Sequence, residues 1–357
     1  MNLDYADLDP SRVLDALDAA GLRGDGRLLQ LNSYENRVYL VHLEEGESVV
    51  AKFYRPGRWT DAQILEEHRF ALDLAAAEVP LAAPLVLHEA GAELAGEPPT
   101  LAHWQGLRYA AADRRGGRSP ELEDPEVLEA LGRFIARIHR TGRERAFAHR
   151  PCWVGRAPGD VARAAVLLSG ELHPSVQDRW LGIVDRCLDA VQTAFDAQPG
   201  LRLQRLHGDC HPGNLLWTPG GSAHFVDLDD AVTGPAVQDL WMLLSGDATQ
   251  ARGQMACLLD GYEQVMPFDR RELRLIEALR TLRMVHHSGW IAKRWDDPAF
   301  PIAFPWFGTP NYWEDQTAKL GEQLEAMWDA QNEPGAPVAP PTIDPDDAVD
   351  FDGDGFA

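Results

Sequence analysis

The sequence predicts an α+β fold with two lobes, a small antiparallel β-sheet lobe followed by a larger, mainly helical lobe. Three short runs rich in β-branched and aromatic residues follow one another at Leu28 to Leu31, Arg37 to Leu43 and Ser48 to Tyr54. After residue 124 the apolar residues recur at helical spacing instead, as in the stripe Leu128, Leu131, Ile135 and Ile138. A chain of 357 residues is long enough to give each lobe a core.

Composition excludes several classes of function. The formal net charge of -23 argues against nucleic-acid partners, because nonspecific binding requires lysine and arginine to neutralise phosphates. No apolar stretch is long enough to span a membrane, and the N-terminus lacks the basic and apolar regions of a signal peptide. The 4 cysteines form no CxxC pair, which fits a reducing compartment. We therefore expect a cytoplasmic monomer without membrane association.

The first lobe is predicted to span residues 1–112. A helix over Ser11 to Leu22 covers the sheet, and a second helix begins after Thr60, which forms a capping box with Gln63. Further strands are expected at Leu85 to His88, Thr100 to His103 and Leu107 to Ala111. Residues 113–117 read as a hinge, with Tyr109 to Asp113 beside a bound adenine.

The second lobe is predicted over residues 118–330. Its first helix begins at Asp124 and Pro125, and two more run roughly from Asp160 to Leu168 and from Ser175 to Ala197. Paired long helices are expected at Arg271 to Trp295 and Tyr312 to Asp329. Residues 331–357 are acidic and rich in proline, and we expect this tail to be disordered.

Two neighbouring stretches, HGDCHPGNLLW (His207 to Trp217) and FVDLDD (Phe225 to Asp230), concentrate the polar chemistry of the chain. The first reads as a polar loop between two short strands, and the turn TPGG returns the chain into a hairpin. Asp209, Asn214 and Asp227 should therefore converge. Hard oxygen ligands with few protein donors are typical of Mg²⁺ when phosphates and water complete its coordination.

Zinc is the competing interpretation, because His207, Cys210 and His211 are also possible ligands. Two histidines four residues apart bind zinc well on one face of a helix. Pro212 and Gly213 argue against a helix, and no cysteine pair completes a tetrahedral site. Magnesium is therefore favoured.

HGDCHPGN with the downstream DLDD resembles the aminoglycoside phosphotransferase and choline kinase superfamily, whose members are related to protein kinases. Longer matching segments resemble, within it, a bacterial family of stress-response serine/threonine protein kinases. These segments are LNSYENRVY, KFYRPGRWT, ILEEH, VQDLWMLL and RWDDPAFP. The resemblance implies a protein-kinase-like fold and transfer of the terminal phosphoryl group of ATP, with Mg²⁺, to a hydroxyl group.

The resemblance also implies roles for individual residues. Asp209 would be the catalytic base, while Asn214 and Asp227 would hold Mg²⁺. Lys52 lies in an apolar strand, where a lysine needs a partner or a ligand, and the kinase pattern pairs it with phosphates and a helix glutamate. Glu66 and Glu67 are both candidates, and we favour Glu67.

Three further residues are assigned from the same resemblance. Ser33 lies in NSYEN, where a kinase would have a glycine-rich loop, and is expected to contact the nucleotide. Asp229 is a possible additional metal ligand. Asp239 is expected to hold the backbone of the catalytic loop.

The acceptor stays open at this point. The narrower likeness implies serine or threonine of a protein substrate, with the kinase itself among the candidate substrates. The wider superfamily implies small alcohols such as aminoglycosides, choline or homoserine, and a noncatalytic nucleotide-binding scaffold is a third interpretation. The short interval between Asp227 and Gly234 leaves no room for a long activation segment.

Overall fold

The computed structural model describes residues 8–87 and 99–332. Within them the chain forms the two lobes that the sequence predicts. The strands are β1 (Gly24–Leu31), β2 (Arg37–Leu43), β3 (Ser48–Phe53), β4 (Ala102–Trp104), β5 (Leu107–Asp113), β6 (Gln204–Leu206), β7 (Leu215–Trp217), β8 (Ala223–Phe225) and β9 (Val232–Gly234). The helices are α1 (Pro10–Asp18), α2 (Asp61–Ala76), α3 (Pro125–Gly142), α4 (Ala157–Ser169), α5 (Gln177–Asp196), α6 (Gln238–Trp241), α7 (Ala248–Glu263), α8 (Ile276–Ala292), α9 (Ala299–Ala303) and α10 (Pro310–Asn332).

The N-terminal lobe is an antiparallel sheet in the order β1-β2-β3-β5-β4. Helix α1 covers one face, where Leu17 and Tyr109 are buried in the same cluster. Helix α2 lies against the other face, where Ile64 and Ala110 are buried together. Because residues alternate along a strand, Lys52 on β3 shares the α2 face with its cross-strand partner Ala110.

The helix starts follow the capping residues in the sequence. Thr60 caps α2, and its hydroxyl and the Gln63 side chain form the predicted capping box. Asp124 caps α3 by accepting from the backbone N–H of Glu126, with Pro125 in the first turn. The boundaries of these two helices were therefore readable from local chemistry.

One prediction for the N-terminal lobe was wrong. Residues 85–87 form no strand, because Leu85 donates a single backbone hydrogen bond to Ala111 without continuing a ladder. His88, the end of that predicted strand, lies outside the described residues. The side chain of Tyr109 is fully buried and its hydroxyl donates to the carbonyl of Ala16, while a position of residues 109–113 beside adenine stays a prediction.

The C-terminal lobe surrounds a core formed by α3, α5, α7, α8 and α10. Helix α7 was missed from the sequence because its apolar residues form a weak stripe. It packs closely on α3 through Gly261, where a Cβ atom would lie 1.8 Å from the carbonyl oxygen of Glu129. Helix α10 packs on α5, where the rings of Trp180 and Trp313 contact edge to face with their centroids 5.3 Å apart.

The site-bearing strands are short. Strand β6 pairs antiparallel with β9, and β7 pairs with β8 as the predicted hairpin. The β6–β9 pair was not predicted, because β9 has only three residues, too few to show a strand pattern in the sequence. Within the described residues no helix is long and apolar enough to cross a membrane. All four cysteines are free thiols.

Candidate active site

One buried carboxylate holds the loop between β6 and β7 in place. Asp239 is fully buried and accepts hydrogen bonds from the backbone N–H groups of His207, at 2.9 Å, and Gly208, at 2.8 Å. Gly208 has a φ of 87°, and a Cβ there would lie 2.1 Å from the carbonyl oxygen of Asp230. These contacts confirm the structural role expected for Asp239.

Asp209 and Asn214 are joined within this loop. The amide nitrogen of Asn214 donates to the backbone carbonyl of Asp209 at 2.9 Å. Its amide oxygen accepts no hydrogen bond from the described part of the chain, so this atom is left available to a ligand. A backbone hydrogen bond of 3.1 Å from Val226 to Asn214 ties the loop to the end of β8.

Sequence reasoning missed the partner of Asp209. The guanidinium of Arg283, on α8, lies 2.5 Å from one carboxylate oxygen of Asp209, and His211 lies 3.5 Å from the other. Burial alone would raise the pKa of Asp209, but Arg283 and His211 outweigh it and hold that pKa well below its ordinary value. No signal in the sequence links position 283 to position 209, because α8 follows 74 residues later.

Asp227 follows β8 with an unusual backbone. Its φ of 60° and ψ of 66° lie in the left-handed region, which costs a nonglycine residue roughly 1 kcal/mol or more. That conformation leaves the side chain half exposed, and one carboxylate oxygen accepts a hydrogen bond of 2.6 Å from Lys52. Such strain is typical of functional sites, where surrounding contacts hold the residue in place.

Lys52 therefore belongs to the same cluster. Burial would lower the pKa of its ammonium group, but the carboxylates of Asp227, Asp229 and Glu67 outweigh burial and raise that pKa. Lys52 remains charged. The structure thus brings the Lys52–Asp227 pair and the Asn214–Asp209 pair together, joined by the backbone hydrogen bond between Val226 and Asn214.

The two helix glutamates lie in different environments. Glu66 accepts from the backbone N–H groups of Ala148, His149 and Arg150, the latter two at 2.9 Å and 2.8 Å. It joins α2 to the C-terminal lobe and is not the partner of Lys52. Glu67 is buried on the side of Lys52, and burial raises its pKa to about 7. The ion pair that Lys52 makes is nevertheless with Asp227, not Glu67.

Ser33 lies in the loop between β1 and β2, as expected. Its hydroxyl accepts a hydrogen bond of 3.2 Å from the backbone N–H of Asn36, which shapes the loop locally. The side chain is half buried. A role for Ser33 toward a nucleotide stays a prediction.

This loop is fastened to the C-terminal lobe by a group of contacts that we call the interlobe clasp. Its residues are Tyr34, Glu35, Asn36, Arg55 and Arg58 of the N-terminal lobe with Asp229, Asp230, Trp290, Arg294, Asp297, Phe300 and Phe304 of the C-terminal lobe. Glu35 accepts from the indole N–H of Trp290 at 2.7 Å and forms an ion pair with Arg294. Arg55 donates to Asp297 at 2.8 Å. The clasp explains why the segments around Arg58 and Asp297 are polar yet half buried.

Asp229 belongs to the interlobe clasp. One oxygen of its carboxylate accepts hydrogen bonds from the amide nitrogen of Asn36, at 2.9 Å, and from Arg58. Burial would raise the pKa of Asp229, but Arg58, Lys52 and Arg150 lower it below the ordinary range. This oxygen is therefore engaged in the clasp, and a role for Asp229 toward a metal stays a prediction.

The zinc interpretation fails on the same geometry. The Nε2 atom of His207 lies 2.9 Å from the carbonyl oxygen of Val226, and the Nδ1 atom of His211 accepts from the backbone N–H of Gly213. Cys210 is fully buried, and burial raises the pKa of its thiol well above the ordinary value. No cluster of three histidine, cysteine or carboxylate side chains suited to a metal occurs in residues 8–87 and 99–332.

Comparison with known proteins agrees with this geometry. Residues 27–276 match the model of the phosphotransferase enzyme family. Over 324 residues the chain is 44% identical to stress response kinase A of Salmonella choleraesuis (strain SC-B67) and 43% identical to that of Escherichia coli (strain K12). Each match covers 90% of this chain and 94% of the relative. A relative in Salmonella typhimurium (strain LT2), 44% identical, is called serine/threonine protein kinase RdoA.

Solved structures share the fold at lower identity. Amicoumacin kinase hAmiN, in complex with AMP-PNP, Ca²⁺ and Ami, matches with a TM-score of 0.66 at 21% identity, covering 93% of this chain and 96% of that one. A microcompartment-associated aminopropanol kinase matches with a TM-score of 0.64 at 16% identity, covering 91% and 98%. At these identities the likeness concerns the fold alone.

Proposed function

This chain belongs to the phosphotransferase enzyme family and is a kinase, and from that premise we propose that it transfers the γ-phosphate of ATP to serine or threonine hydroxyls of protein. The observation that supports a phosphoryl-transfer site most directly is the convergence of two pairs, Lys52 with Asp227 and Asn214 with Asp209, which the backbone hydrogen bond from Val226 to Asn214 holds together. The name of the serine/threonine kinase relative supports the acceptor class.

The donor atoms at the site suit Mg²⁺. Asp227 offers a half-exposed carboxylate and Asn214 an amide oxygen that no described residue occupies. Two protein oxygens are too few for a closed metal site but fit a Mg²⁺ ion whose other ligands are phosphates and water. When bound, Mg²⁺ would neutralise charge on the phosphates. Asp227→Ala should therefore abolish most activity.

Lys52 would bind the phosphates of ATP. Its ammonium group stays charged and is held beside the metal position by Asp227. The carboxylate of Glu67, on the buried face of α2, acts electrostatically on Lys52 and helps to keep it charged. We propose that Ser33 contacts the nucleotide from the loop between β1 and β2, which the interlobe clasp holds close to the site.

Asp209 would orient the acceptor hydroxyl and receive its proton. A base must be deprotonated before it can act, and Arg283 keeps the carboxylate of Asp209 ionised. The carboxylate is fixed by Arg283 on one oxygen and approached by His211 on the other. Positioning and charge neutralisation supply most of the catalysis in this class of reaction.

The same four residues would serve a small-alcohol kinase. The solved structures with this fold include an amicoumacin kinase and an aminopropanol kinase, which supports this second candidate. The difference lies in the acceptor and not in the phosphate-binding residues. An assay must therefore compare acceptors directly.

The test is a radiolabelled ATP transfer assay with two sets of acceptors. One set is mixed cell protein, and the other is a panel of aminoglycosides, choline and homoserine. We expect labelled serine or threonine in protein, lost in Asp209→Asn and retained in Asp260→Asn, an exposed aspartate on α7. Efficient labelling of a small alcohol without any protein band would overturn the protein-kinase proposal. No transfer to either set, with ATP still bound, would favour a nucleotide-binding scaffold.

A further inference from the structure

A second cavity lies apart from the cleft that holds Asp227. Its volume is about 300 Å³, and it is lined by residues 142–146, residues 202–205 and Thr233. The first segment is the loop that follows α3, and the second leads through β6 into the catalytic loop. None of the residues proposed to bind ATP, Mg²⁺ or the acceptor lines it.

Arginine dominates this cavity. Arg143, Arg145, Arg202 and Arg205 line it, and Glu144 is its one acidic residue. Such a concentration stands out in a chain whose formal net charge is -23. A pocket lined by one sign of charge attracts ligands of the opposite sign.

The arginines differ in how far they are neutralised. Arg205 is buried and paired with Asp73 at 3.1 Å, and Arg143 donates to the side-chain oxygen of Gln204 at 3.1 Å. Arg145 and Arg202 are exposed and form no ion pair with any residue that the structure describes. The pKa of Arg205 is lowered mainly by burial and further by the repulsion of Arg145. An anion between these groups would relieve that repulsion.

A buried amide supplies a second, independent sign of a ligand. Gln204 is 3% exposed, and its side-chain oxygen is used by Arg143. Its side-chain nitrogen is buried and has no hydrogen-bond partner within residues 8–87 and 99–332. An unsatisfied buried donor costs about 1–3 kcal/mol. An acceptor oxygen in the cavity would satisfy it after a small rotation of the amide.

We propose that this cavity binds a phosphoryl group, either of a free phosphate compound or of a phosphorylated side chain. Arginine binds phosphate through two parallel N–H bonds, which suits an oxyanion with several acceptor oxygens. Arg145 and Arg202 supply the uncompensated charge, and Gln204 supplies a neutral donor. The occupant sits against β6, the strand that runs directly into His207 and the catalytic loop.

The test measures binding by titration calorimetry with the full chain. The probes are inorganic phosphate and a phosphoserine peptide beside the same peptide with unmodified serine. We expect the Arg145→Ala/Arg202→Ala double variant to weaken phosphoryl binding at least tenfold. The matched control, Arg186→Ala/Arg252→Ala, removes two exposed arginines that do not line the cavity and should bind as the wild type does.

A further variant and the choice of probe sharpen the result. Gln204→Met keeps the approximate size of the side chain, removes its donor and should also weaken binding. Preference for inorganic phosphate would identify a free phosphate compound as the ligand, and preference for the phosphopeptide over the serine peptide would identify a phosphorylated side chain. The proposal is overturned if neither probe binds the wild type, or if the double variant binds the preferred probe as tightly as the wild type does.

Discussion

The guanidinium of Arg283 lies 2.5 Å from the carboxylate of Asp209, across 74 residues of sequence. Arg283 is on α8, the helix that also provides Trp290 to the interlobe clasp. One helix of the C-terminal lobe therefore contacts both the proposed catalytic base and the loop between β1 and β2. This arrangement links the position of Asp209 to the position of the N-terminal lobe.

Replacing Arg283 by methionine should lower kcat by about ten- to a hundredfold, less than the roughly 10²–10⁴-fold that a general base contributes, because Asp209 itself is retained. The carboxylate of Asp209 would lose the partner that fixes its orientation. The KM for ATP should stay near the wild-type value, because Arg283 contacts the base and not Lys52. Steady-state kinetics beside Arg274→Met, an exposed arginine before α8, provide the check. An unchanged kcat would show that Asp209 needs no such partner.

Glu35 should be important for holding the loop between β1 and β2. It contacts Trp290 and Arg294 of the C-terminal lobe, and Arg55 and Arg58 lie 3.5 Å and 3.6 Å from its other oxygen. Glu35→Gln keeps the shape but removes the charge that neutralises these arginines. We expect the KM for ATP to rise about tenfold, equivalent to roughly 1.4 kcal/mol of binding.

The control for Glu35 is Glu45→Gln, in the exposed turn between β2 and β3. Kinetics and thermal unfolding should be measured on the same samples. A lower melting temperature with an unchanged KM for ATP would mean that the clasp stabilises the fold without positioning the loop.

Substitutions of Glu66 and Glu67, the neighbouring glutamates of α2, should affect different properties of the protein. Glu66→Ala removes three hydrogen bonds to backbone N–H groups, so stability should fall by on the order of 3 kcal/mol while the KM for ATP changes little. Glu67→Gln should instead change the KM for ATP, because it removes one of the carboxylates that act electrostatically on Lys52. Denaturant unfolding and ATP kinetics on both variants separate the two roles. Equal effects of both changes on KM would contradict the assignment.

Asp227→Ala should lose several orders of magnitude of activity and remain folded, since the proposed role of Asp227 is to hold a metal ion that stabilises charge during phosphoryl transfer. The backbone there should relax only slightly, because the left-handed conformation is held by neighbouring contacts. Circular dichroism and the ATP transfer assay provide the measurements, with Asp260→Ala as the exposed control. Normal turnover in Asp227→Ala would remove this residue from the mechanism.

The sequence predicted the parts of the site that local chemistry controls. Asp209 and Asn214 lie in one loop, and the turn after Trp217 returns β8 beside it, so short-range patterns were sufficient. The capping residues Thr60 and Asp124 likewise marked the starts of their helices. These features depend on contacts within a few residues of each other.

What the sequence did not reveal depends on packing between distant elements. The contact of Arg283 with Asp209 and that of Glu35 with Trp290 exist only because α8 of the C-terminal lobe reaches both the loop between β6 and β7 and the loop between β1 and β2. The hydrogen bond from Arg58 to Asp229, 171 residues later in the chain, was likewise not evident from the sequence. The side-chain nitrogen of Gln204, which has no partner among the described residues, also has no signature in the sequence.

Glu272 should make stability depend on pH. It is 1% exposed and accepts a hydrogen bond of 2.9 Å from the backbone N–H of Val237, and burial raises its pKa from the ordinary value of 4.5 to about 7. Between these two values the folded protein retains a proton that the unfolded chain has released. The free energy of unfolding should therefore fall as pH rises through this window and level off above pH 7.

Glu272→Gln should remove that contribution. The amide cannot ionise but can still accept from Val237, so the variant should lose less stability than the wild type as pH rises. Since one pKa unit corresponds to about 1.4 kcal/mol, the difference should approach on the order of 3 kcal/mol over the window. Glu67, whose pKa is also raised to about 7, contributes in both proteins, so the comparison isolates Glu272. Urea unfolding at several pH values measures this difference in the free energy of unfolding, with the exposed Glu325→Gln as the control. Parallel pH profiles for the wild type and Glu272→Gln would contradict the prediction.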